Sequence, residues 1–328
     1  MKNFAIIGSG SWGCALAIYL ATTGNSVKIW SFNEEEKNAI NNEKRCVFLP
    51  KAVIPDGVYC STDYREVIEG ADIILHVTPS KFTRDTIRGY KEFVKENQYL
   101  VMCSKGFEMS TCYTLDQVIE EELPGITYGV LSGPSHAEEV SVCINTALVI
   151  ASKDDKLKAD IVDSFKSNVL RMYTSSDVKG VELGGGLKNI IAFCAGAAVG
   201  LGLGDNAFAA LVTRGLVEIA RLGTAMGGEL QTFYGLTGLG DLIVTCGSEH
   251  SRNRKAGKLI GQGYSIEETR KEVGMTIESI DNIDVTYRLS KMYNIEMPIV
   301  DAVYNVLYNN LDPKEAVEIL MTRNLKDE

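Results

Sequence analysis

A glycine-rich turn near the start of the chain constrains its fold more than any other feature. The segment Gly8-Ser9-Gly10-Ser11-Trp12-Gly13 fits G-x-G-x-x-G, follows the apolar run Phe4–Ile7 and precedes the helical pattern 14–21. In a strand–turn–helix, the first glycine permits the tight turn, the second lets the backbone approach a pyrophosphate and the third lets the helix pack on the strand. N–H groups at the start of the helix then face the anion. The segment therefore predicts dinucleotide contacts at Gly8, Gly10 and Gly13.

The first half of the chain alternates short apolar runs with amphipathic stretches. After the first strand, the apolar runs are 27–30, 73–77, 99–103, 128–131 and 147–150. Continuous apolar runs separated by helices indicate strands covered on both faces of a parallel sheet. After about Thr174 the strand signals stop and helical spacing continues to the end, with a long bridging helix expected near Asp177. We predict an α/β fold: a doubly wound dinucleotide-binding domain over residues 1–180 and an all-helical, substrate-binding domain over 181–328.

Composition excludes several classes of protein. Lysine and arginine total 33 against 43 aspartates and glutamates, and this net charge of −10 argues against nucleic-acid binding. The eight cysteines form no C-x-x-C pair and there are only three histidines, so no metal site is expected. The glycines interrupt a signal-like N-terminus, and the uncharged run 190–204 is shorter than the ~20 residues of a membrane span. We expect a cytoplasmic protein without membrane insertion.

The end of the second strand bears on the choice between NAD and NADP. A dinucleotide site expects an acid there, to bond the adenosine ribose hydroxyls. The segment reads Trp30-Ser31-Phe32-Asn33-Glu34, with no acid at the strand tip and no arginine for a 2′-phosphate. Asn33 could bond a hydroxyl, whereas Glu34 and Glu35 would repel a phosphate. NAD and NADP both stay open, and the sequence favours NAD.

Three further segments carry candidate chemistry. Lys105 follows a predicted strand, at the edge of the sheet where ligands bind, although most lysines lie on the surface. Ser132-Gly133-Pro134-Ser135 ends another strand and precedes a helix, either as a ligand site or as a plain helix cap. Gly184, Gly185 and Gly186 precede Lys188 inside a helical pattern. Such glycines indicate either a close approach to a ligand or a tight helix crossing.

The segment Ser251-Arg252-Asn253 predicts a compact phosphate site. Ser251 is placed to cap a helix, and Arg252 offers a bidentate fork beside the N–H groups of the first turn. A solvated basic patch is the alternative, because Arg254, Lys255 and Lys258 follow. The segment Gly235-Leu236-Thr237-Gly238-Leu239-Gly240-Asp241 precedes this site.

Together these segments resemble the bacterial-type NAD(P)-dependent glycerol-3-phosphate dehydrogenase family. The glycine turn, Ser104-Lys105-Gly106, Leu131–Ser135, Leu187-Lys188-Asn189, Gly235–Asp241 and Ser251–Asn253 occur in the family's order. The resemblance implies a Rossmann-like N-terminal domain and reversible reduction of dihydroxyacetone phosphate to sn-glycerol 3-phosphate, which feeds phospholipid synthesis. Family members often carry a basic residue where this chain has Phe32 or Asn33.

The resemblance also implies roles for single residues. Lys188 is implied as the general acid/base and as a substrate contact. The other implied substrate contacts are Lys105, Gly133, Ser135, Asp241, Ser251, Arg252 and Asn253. Beyond the three glycines of the turn, the cofactor contacts are expected at Ser11, Trp12, Phe32, Asn33, Lys105, Ala137, Arg252, Thr276 and Glu278.

Two other functions stay open on the sequence. A related dehydrogenase acting on a β-hydroxy acid or sugar acid shares the two-domain plan and a lysine in the bridging helix, and Ser251-Arg252-Asn253 is the feature that separates the two. A non-catalytic NAD(H) sensor needs the glycine turn but not Lys188, Asp241 and Arg252 together. The expected partner is a small-molecule substrate, and pairing into a homodimer is a further expectation.

Overall fold

The computed structural model describes residues 1–324 and divides into two compact units. The N-terminal unit comprises Met1–Glu108 and Tyr113–Glu182. The C-terminal unit comprises Met109–Cys112 and the chain from Leu183 onward. The helix Val178–Gly200 begins in the first unit and ends in the second.

The N-terminal unit contains an eight-stranded sheet and a small two-stranded one. The strands are β1 Asn3–Ile7, β2 Ser26–Trp30, β3 Arg45–Cys46, β4 Leu49–Val53, β5 Tyr59–Ser61, β6 Ile73–His76, β7 Tyr99–Met102, β8 Thr127–Ser132, β9 Thr146–Ser152 and β10 Leu170–Ser175. The order in the large sheet is β10-β9-β8-β7-β6-β1-β2-β5, and β3 pairs with β4.

The strand order confirms the doubly wound fold and corrects one detail of it. Chain order runs from β1 through β2 to β5 on one side, then returns to β6 on the other side of β1. This reversal creates the crevice at which α/β sheets bind ligands. The wholly parallel pairing expected from the sequence is wrong at one point, because β8 and β9 are antiparallel. The chain between them, which contains the short helix Ala137–Val140, reverses direction instead of making the crossover that a parallel pair requires.

Seven α-helices lie wholly within the N-terminal unit, besides the short 3-10 helices Ser80–Phe82 and Lys91–Phe93. They are α1 Ser11–Thr22, α2 Glu34–Asn41, α3 Tyr64–Ile68, α4 Thr83–Tyr90, α5 Leu115–Glu122, α6 Ala137–Val140 and α7 Asp155–Ser164. Helix α1 is buried from Gly13 to Leu20 and packs in the main apolar core, together with β1, β2 and the Tyr19–Phe165 ring pair. This burial explains why α1 carries apolar residues all round.

The rest of the described chain is helical, as the sequence predicts. The elements are α8 Val178–Gly200, α9 Asp205–Ala225, α10 Leu230–Phe233, a π-helical turn Leu236–Gly240, α11 Asp241–Gly247, α12 Arg252–Gly261, α13 Ile266–Val273, α14 Glu278–Met292, α15 Pro298–Tyr308 and α16 Pro313–Met321. Helices α15 and α16 each begin with proline, whose missing N–H is harmless in a first turn.

Helix α8 is long and apolar enough to cross a membrane by length and composition. However, 78% of its most apolar window is buried inside the protein. Its two inward ionisable residues, Glu182 and Lys188, both bond protein groups within their own unit. Burial and satisfied polar groups are typical of the core helix of a globular fold.

Candidate active site

The glycine turn joins β1 to α1 in the geometry that a pyrophosphate site needs. Gly8 has a φ of 125°, and a Cβ there would meet the backbone of Val77 at 3.2 Å. Its N–H donates to the carbonyl of Trp30 at 3.1 Å, which ties the turn to β2. Helix α1 starts after Gly10, and no side chain of residues 1–324 caps it. Its first-turn N–H groups are therefore not claimed by a side-chain cap.

Gly10 and Gly13 differ in what surrounds them. A Cβ on Gly13 would overlap the carbonyl oxygen of Gly8, so this glycine lets the helix pack on the turn. A Cβ on Gly10 would have no heavy atom of residues 1–324 within 4 Å. The space beside Gly10 is thus open, as the approach of a phosphate requires. The residues present fit a dinucleotide pyrophosphate.

The end of β2 differs from the sequence expectation. We expected no acid at this strand tip, but the carboxylate of Glu36 reaches back from the first turn of α2. It accepts hydrogen bonds from the hydroxyls of Ser9 and Ser31, the latter at 3.2 Å. Asn33 caps α2 and donates its amide to Glu36 at 3.0 Å, so its polar groups are engaged in the cap. The side chain of Phe32 is 85% exposed.

His76 ends β6 behind the glycine turn. It is fully buried, and its ring nitrogens lie 2.7 Å from the Thr78 hydroxyl and 3.2 Å from the Tyr90 hydroxyl. Burial lowers the pKa of His76 to about 3, so the imidazole is neutral at physiological pH. Ser104 donates to the Thr78 carbonyl at 2.5 Å. These contacts hold the loop after β6 in place without adding charge.

Lys105, Gly133 and Ser135 meet at the carboxyl ends of β7 and β8. The carbonyl of Gly133 accepts hydrogen bonds from the Lys105 ammonium at 3.5 Å and from the Ser135 hydroxyl at 2.9 Å. Gly133 has a φ of 132°, which favours glycine. Ala137 is buried and begins α6 directly after this segment. The structure thus brings together four residues that the resemblance implies as ligand contacts.

Lys188 is the centre of a buried polar group in the C-terminal unit. Its ammonium donates to the carboxylate of Asp241 at 2.6 Å and to the hydroxyl of Thr245 at 2.5 Å. Lys188 is 5% exposed and Asp241 is 2% exposed. Burying an ammonium is costly unless an opposite charge compensates it, and Asp241 supplies that charge. The arrangement holds a proton donor in a fixed position.

Thr245 is a residue that our sequence reasoning missed. It lies four residues after Asp241 in α11, so the two side chains share one face of the helix. Its hydroxyl accepts from the Lys188 ammonium and donates to the carbonyl of Asp241 at 2.6 Å. The spacing of a threonine at i+4 from Asp241 was the available signal.

A chain of amides extends from the residue beside Lys188. Asn189 donates to Glu278 at 2.8 Å and accepts from the amide of Asn253 at 3.0 Å. Asn253 in turn accepts from the N–H of Ser279 at 2.9 Å. This network connects α8, α12 and the start of α14. It links two predicted contacts, Asn253 and Glu278, to Asn189, the residue that follows Lys188. Thr276 lies in the preceding loop, outside this network's hydrogen bonds.

The Ser251 segment forms the helix start that the sequence predicts. Ser251 is the N-cap of α12, and its hydroxyl accepts from the N–H of Arg254 at 3.2 Å. Ser251 and Asn253 are buried, whereas Arg252 is half-buried. A helix N-terminus with a flanking guanidinium suits a phosphate monoester.

The glycines before Lys188 have an explanation within the protein. A Cβ on Gly184 would lie 2.9 Å from the carbonyl oxygen of Thr237 in the π-helical turn. The sequence left two explanations open, a close approach to a ligand and a tight helix crossing. This short distance supports close packing of chain segments. The packing brings the Gly235–Asp241 segment against the part of α8 that carries Lys188.

Comparison with known families decides what this chain is related to. A model described as the NAD-dependent glycerol-3-phosphate dehydrogenase N-terminus matches residues 3–158, and the model of the C-terminus matches residues 177–318. The chain belongs to the NAD-dependent glycerol-3-phosphate dehydrogenase family. The resemblance drawn from the sequence motifs is therefore confirmed.

Individual glycerol-3-phosphate dehydrogenases match along nearly their whole length. The chain is 46% identical to the glycerol-3-phosphate dehydrogenase [NAD(P)+] of Agathobacter rectalis, with 100% of this chain and 98% of that protein covered. Identity to the Bacillus subtilis protein of the same description is 44%, covering 98% and 95%. The crystal structure of glycerol-3-phosphate dehydrogenase from Coxiella burnetii superposes with a TM-score of 0.95 at 36% identity, covering 98% and 99%.

Proposed function

We propose that the chain catalyses reversible hydride transfer between NAD(P)H and dihydroxyacetone phosphate, giving sn-glycerol 3-phosphate. The observation that carries this proposal is the buried Lys188 ammonium on Asp241 and Thr245. It occurs in a chain whose other unit has the open glycine turn of a dinucleotide site. The product supplies the glycerol phosphate of phospholipid synthesis.

The reduced nicotinamide supplies the hydride when it is bound. Lys188 stabilises the negative charge that builds on the carbonyl oxygen of the ketone and then donates a proton to it. Asp241 compensates the positive charge of the ammonium and orients it, and the Thr245 hydroxyl accepts a second hydrogen bond from it. In the reverse direction the same amine accepts the proton from the hydroxyl. This assignment makes Lys188 the catalytic residue and a substrate contact.

The phosphate of the substrate is assigned to the start of α12. Ser251, Arg252 and Asn253 hold it there, remote from the reacting carbon, and this binding energy positions the ketone. Lys105, Gly133 and Ser135 complete the substrate contacts with Asp241. The dinucleotide is assigned to the glycine turn, Phe32, Asn33, Lys105, Ala137, Arg252, Thr276 and Glu278.

The proposal extends to organisation. Residues 1–180 act as the dinucleotide-binding domain and residues 181–328 as the substrate-binding domain. The protein works in the cytoplasm. This compartment is reducing, which suits both a reduced nicotinamide and eight free thiols. Two copies associate as a homodimer, which light scattering on the purified protein tests directly.

Enzyme assays with alternative substrates test the activity. Oxidation of the reduced dinucleotide is followed with dihydroxyacetone phosphate, with unphosphorylated dihydroxyacetone and with a β-keto acid. We expect turnover that strongly favours the phosphate ester. Faster turnover of the keto acid would assign the chain to the β-hydroxy-acid dehydrogenases, and dinucleotide binding without turnover of any ketone would make it a sensor.

A further inference from the structure

We propose that Glu36 makes this chain selective for NADH over NADPH by binding the adenosine ribose diol. The inference deepens the proposed function, since it concerns the dinucleotide site assigned there. The related proteins are described as acting with NAD(P)+, which leaves the choice between the two open. Glu36 determines the choice between NADH and NADPH because its carboxylate lies beside the glycine turn.

The position of the Glu36 carboxylate is set by two neighbouring strands. Ser9 follows β1 in the glycine turn and Ser31 follows β2, and their hydroxyls lie 2.8 Å apart. Both hydroxyls donate to the same Glu36 oxygen, Oε2. The carboxylate therefore lies at the carboxyl edge of the β1–β2 pair, where a dinucleotide fold places the acid that bonds the ribose. Here the acid comes from α2 instead of the strand tip.

Hydrogen-bonding capacity favours a diol at this carboxylate. An ionised carboxylate only accepts hydrogen bonds and offers about four lone-pair sites. The bonds from Ser9, Ser31 and the Asn33 amide account for three donors, with two on Oε2 and one on Oε1. Oε1 accepts one of these bonds, from Asn33, and a carboxylate oxygen can accept two. Oε1 can therefore accept a further hydrogen bond. A ribose 2′-hydroxyl can donate that bond, whereas a 2′-phosphate is an acceptor and carries negative charge.

The charges around Glu36 act in the same direction. Glu34 and Glu35 lie on the first turn of α2 and are exposed. The one nearby cation on this helix, Lys37, is bonded to both carboxylate oxygens of Glu34, at 3.0 and 3.3 Å. A 2′-phosphate at this edge would meet the Glu36 carboxylate, and the lysine that could offset the negative charge is already engaged by Glu34. Repulsion therefore adds to the missing hydrogen bond.

A purely structural role for Glu36 predicts a different result. Glu36 and Asn33 exchange hydrogen bonds, because the Glu36 N–H donates to Asn33 at 2.8 Å and the Asn33 amide donates back to the carboxylate at 3.0 Å. If Glu36 served only this helix cap, its replacement would weaken both dinucleotides equally. Selectivity between them is the readout that separates the two roles.

The test compares wild type, Glu36→Gln and the matched control Glu35→Gln. Calorimetry measures binding of ADP-ribose and of its 2′-phosphate, and steady-state assays measure kcat/KM with NADH and NADPH. We expect wild type and Glu35→Gln to bind ADP-ribose at least tenfold more tightly than its 2′-phosphate. In Glu36→Gln this ratio falls at least tenfold. Glu36→Asp, which keeps the charge but shortens the side chain, weakens ADP-ribose and still rejects the phosphate.

Two results would overturn the proposal. One is equal binding of the two probes by wild type, which needs no variant at all. The other is an unchanged ratio in Glu36→Gln with both probes equally weakened, which assigns Glu36 to the cap. Because these probes carry no nicotinamide, failure of the proposed enzyme activity shows separately, as selective binding without turnover of dihydroxyacetone phosphate.

Discussion

The Lys188 ammonium and the Asp241 carboxylate lie 2.6 Å apart although 53 positions separate the residues in the chain. Their side chains are only 6% and 2% exposed. A pair this deeply buried makes each partner dependent on the other, since removing one leaves an uncompensated charge. The same contact aims the only proton donor that the proposed mechanism uses.

Replacing Lys188 by methionine tests the proton donor. We expect kcat to fall by about 10² to 10⁴, the usual contribution of general acid catalysis. The affinity for dinucleotide, measured by calorimetry, stays near wild type. Stability falls by about 3 to 5 kcal/mol because Asp241 is left uncompensated. The double variant Lys188→Met/Asp241→Asn recovers much of that stability without recovering activity. Near-normal turnover in Lys188→Met would contradict the assignment.

Thr245 is expected to position the Lys188 ammonium. Thr245→Val removes the hydroxyl but keeps the shape of the side chain. Hydrogen bonds to charged groups contribute about 1.5–3 kcal/mol, so kcat should fall by about 10- to 100-fold. Thr213→Val is the control, because Thr213 makes a comparable bond to the carbonyl four residues earlier on the exposed side of α9. Equal effects of both variants on kcat would argue against a role in catalysis.

Arg252→Ala tests the phosphate site. At saturating dinucleotide, we expect KM for dihydroxyacetone phosphate to rise at least tenfold, while the low activity on unphosphorylated dihydroxyacetone is unchanged. Lys255→Ala, on the same helix and paired with Glu272 at the surface, serves as the control. If both substrates lost activity equally in Arg252→Ala, the guanidinium would not contact the phosphate.

The two glycines of the turn are expected to respond differently to alanine. Gly10→Ala keeps the thermal stability of wild type, because the added methyl meets open space, but weakens dinucleotide binding at least tenfold. Gly13→Ala overlaps the Gly8 carbonyl and costs about 1–3 kcal/mol of stability, as overpacking does. Thermal unfolding and calorimetry on both variants measure these effects. Undisturbed binding by Gly10→Ala would place the pyrophosphate elsewhere.

Glu218 predicts a dependence of stability on pH. Its buried carboxylate accepts from the N–H groups of Ile299 and Val300, at 2.8 and 3.3 Å, at the start of α15. Burial raises the pKa of Glu218 to about 7 from its usual 4.5. The folded state therefore holds the proton more tightly than the unfolded chain.

The sign of the pH effect follows from that raised pKa. The contribution to stability is fully present below about pH 4.5 and is lost as pH rises through about 7. Its size is at most about 3 kcal/mol. Unfolding by denaturant at a series of pH values, compared between wild type and Glu218→Gln, isolates this term. Parallel pH profiles for the two proteins would contradict the prediction.

The local elements of this protein follow from the sequence alone. Alternating apolar runs and the glycine turn predict the doubly wound sheet, and the structure confirms it. The helical pattern predicted after about Thr174 is found in the described chain, and the predicted Ser251 cap is present. These features depend on periodicity, turn chemistry and capping, which act within a few residues.

Long-range pairing was decided by the tertiary structure. Strand periodicity is the same in parallel and antiparallel pairs, so the reversed pairing of β8 and β9 could not be inferred. Glu36 sits six residues beyond the end of β2, and only the fold of α2 returns its carboxylate to Ser9 and Ser31. Thr245 joins Lys188 because α8 packs on α11. Side chains distant in sequence come into contact only when packing brings their elements together, and local sequence patterns do not predict such contacts.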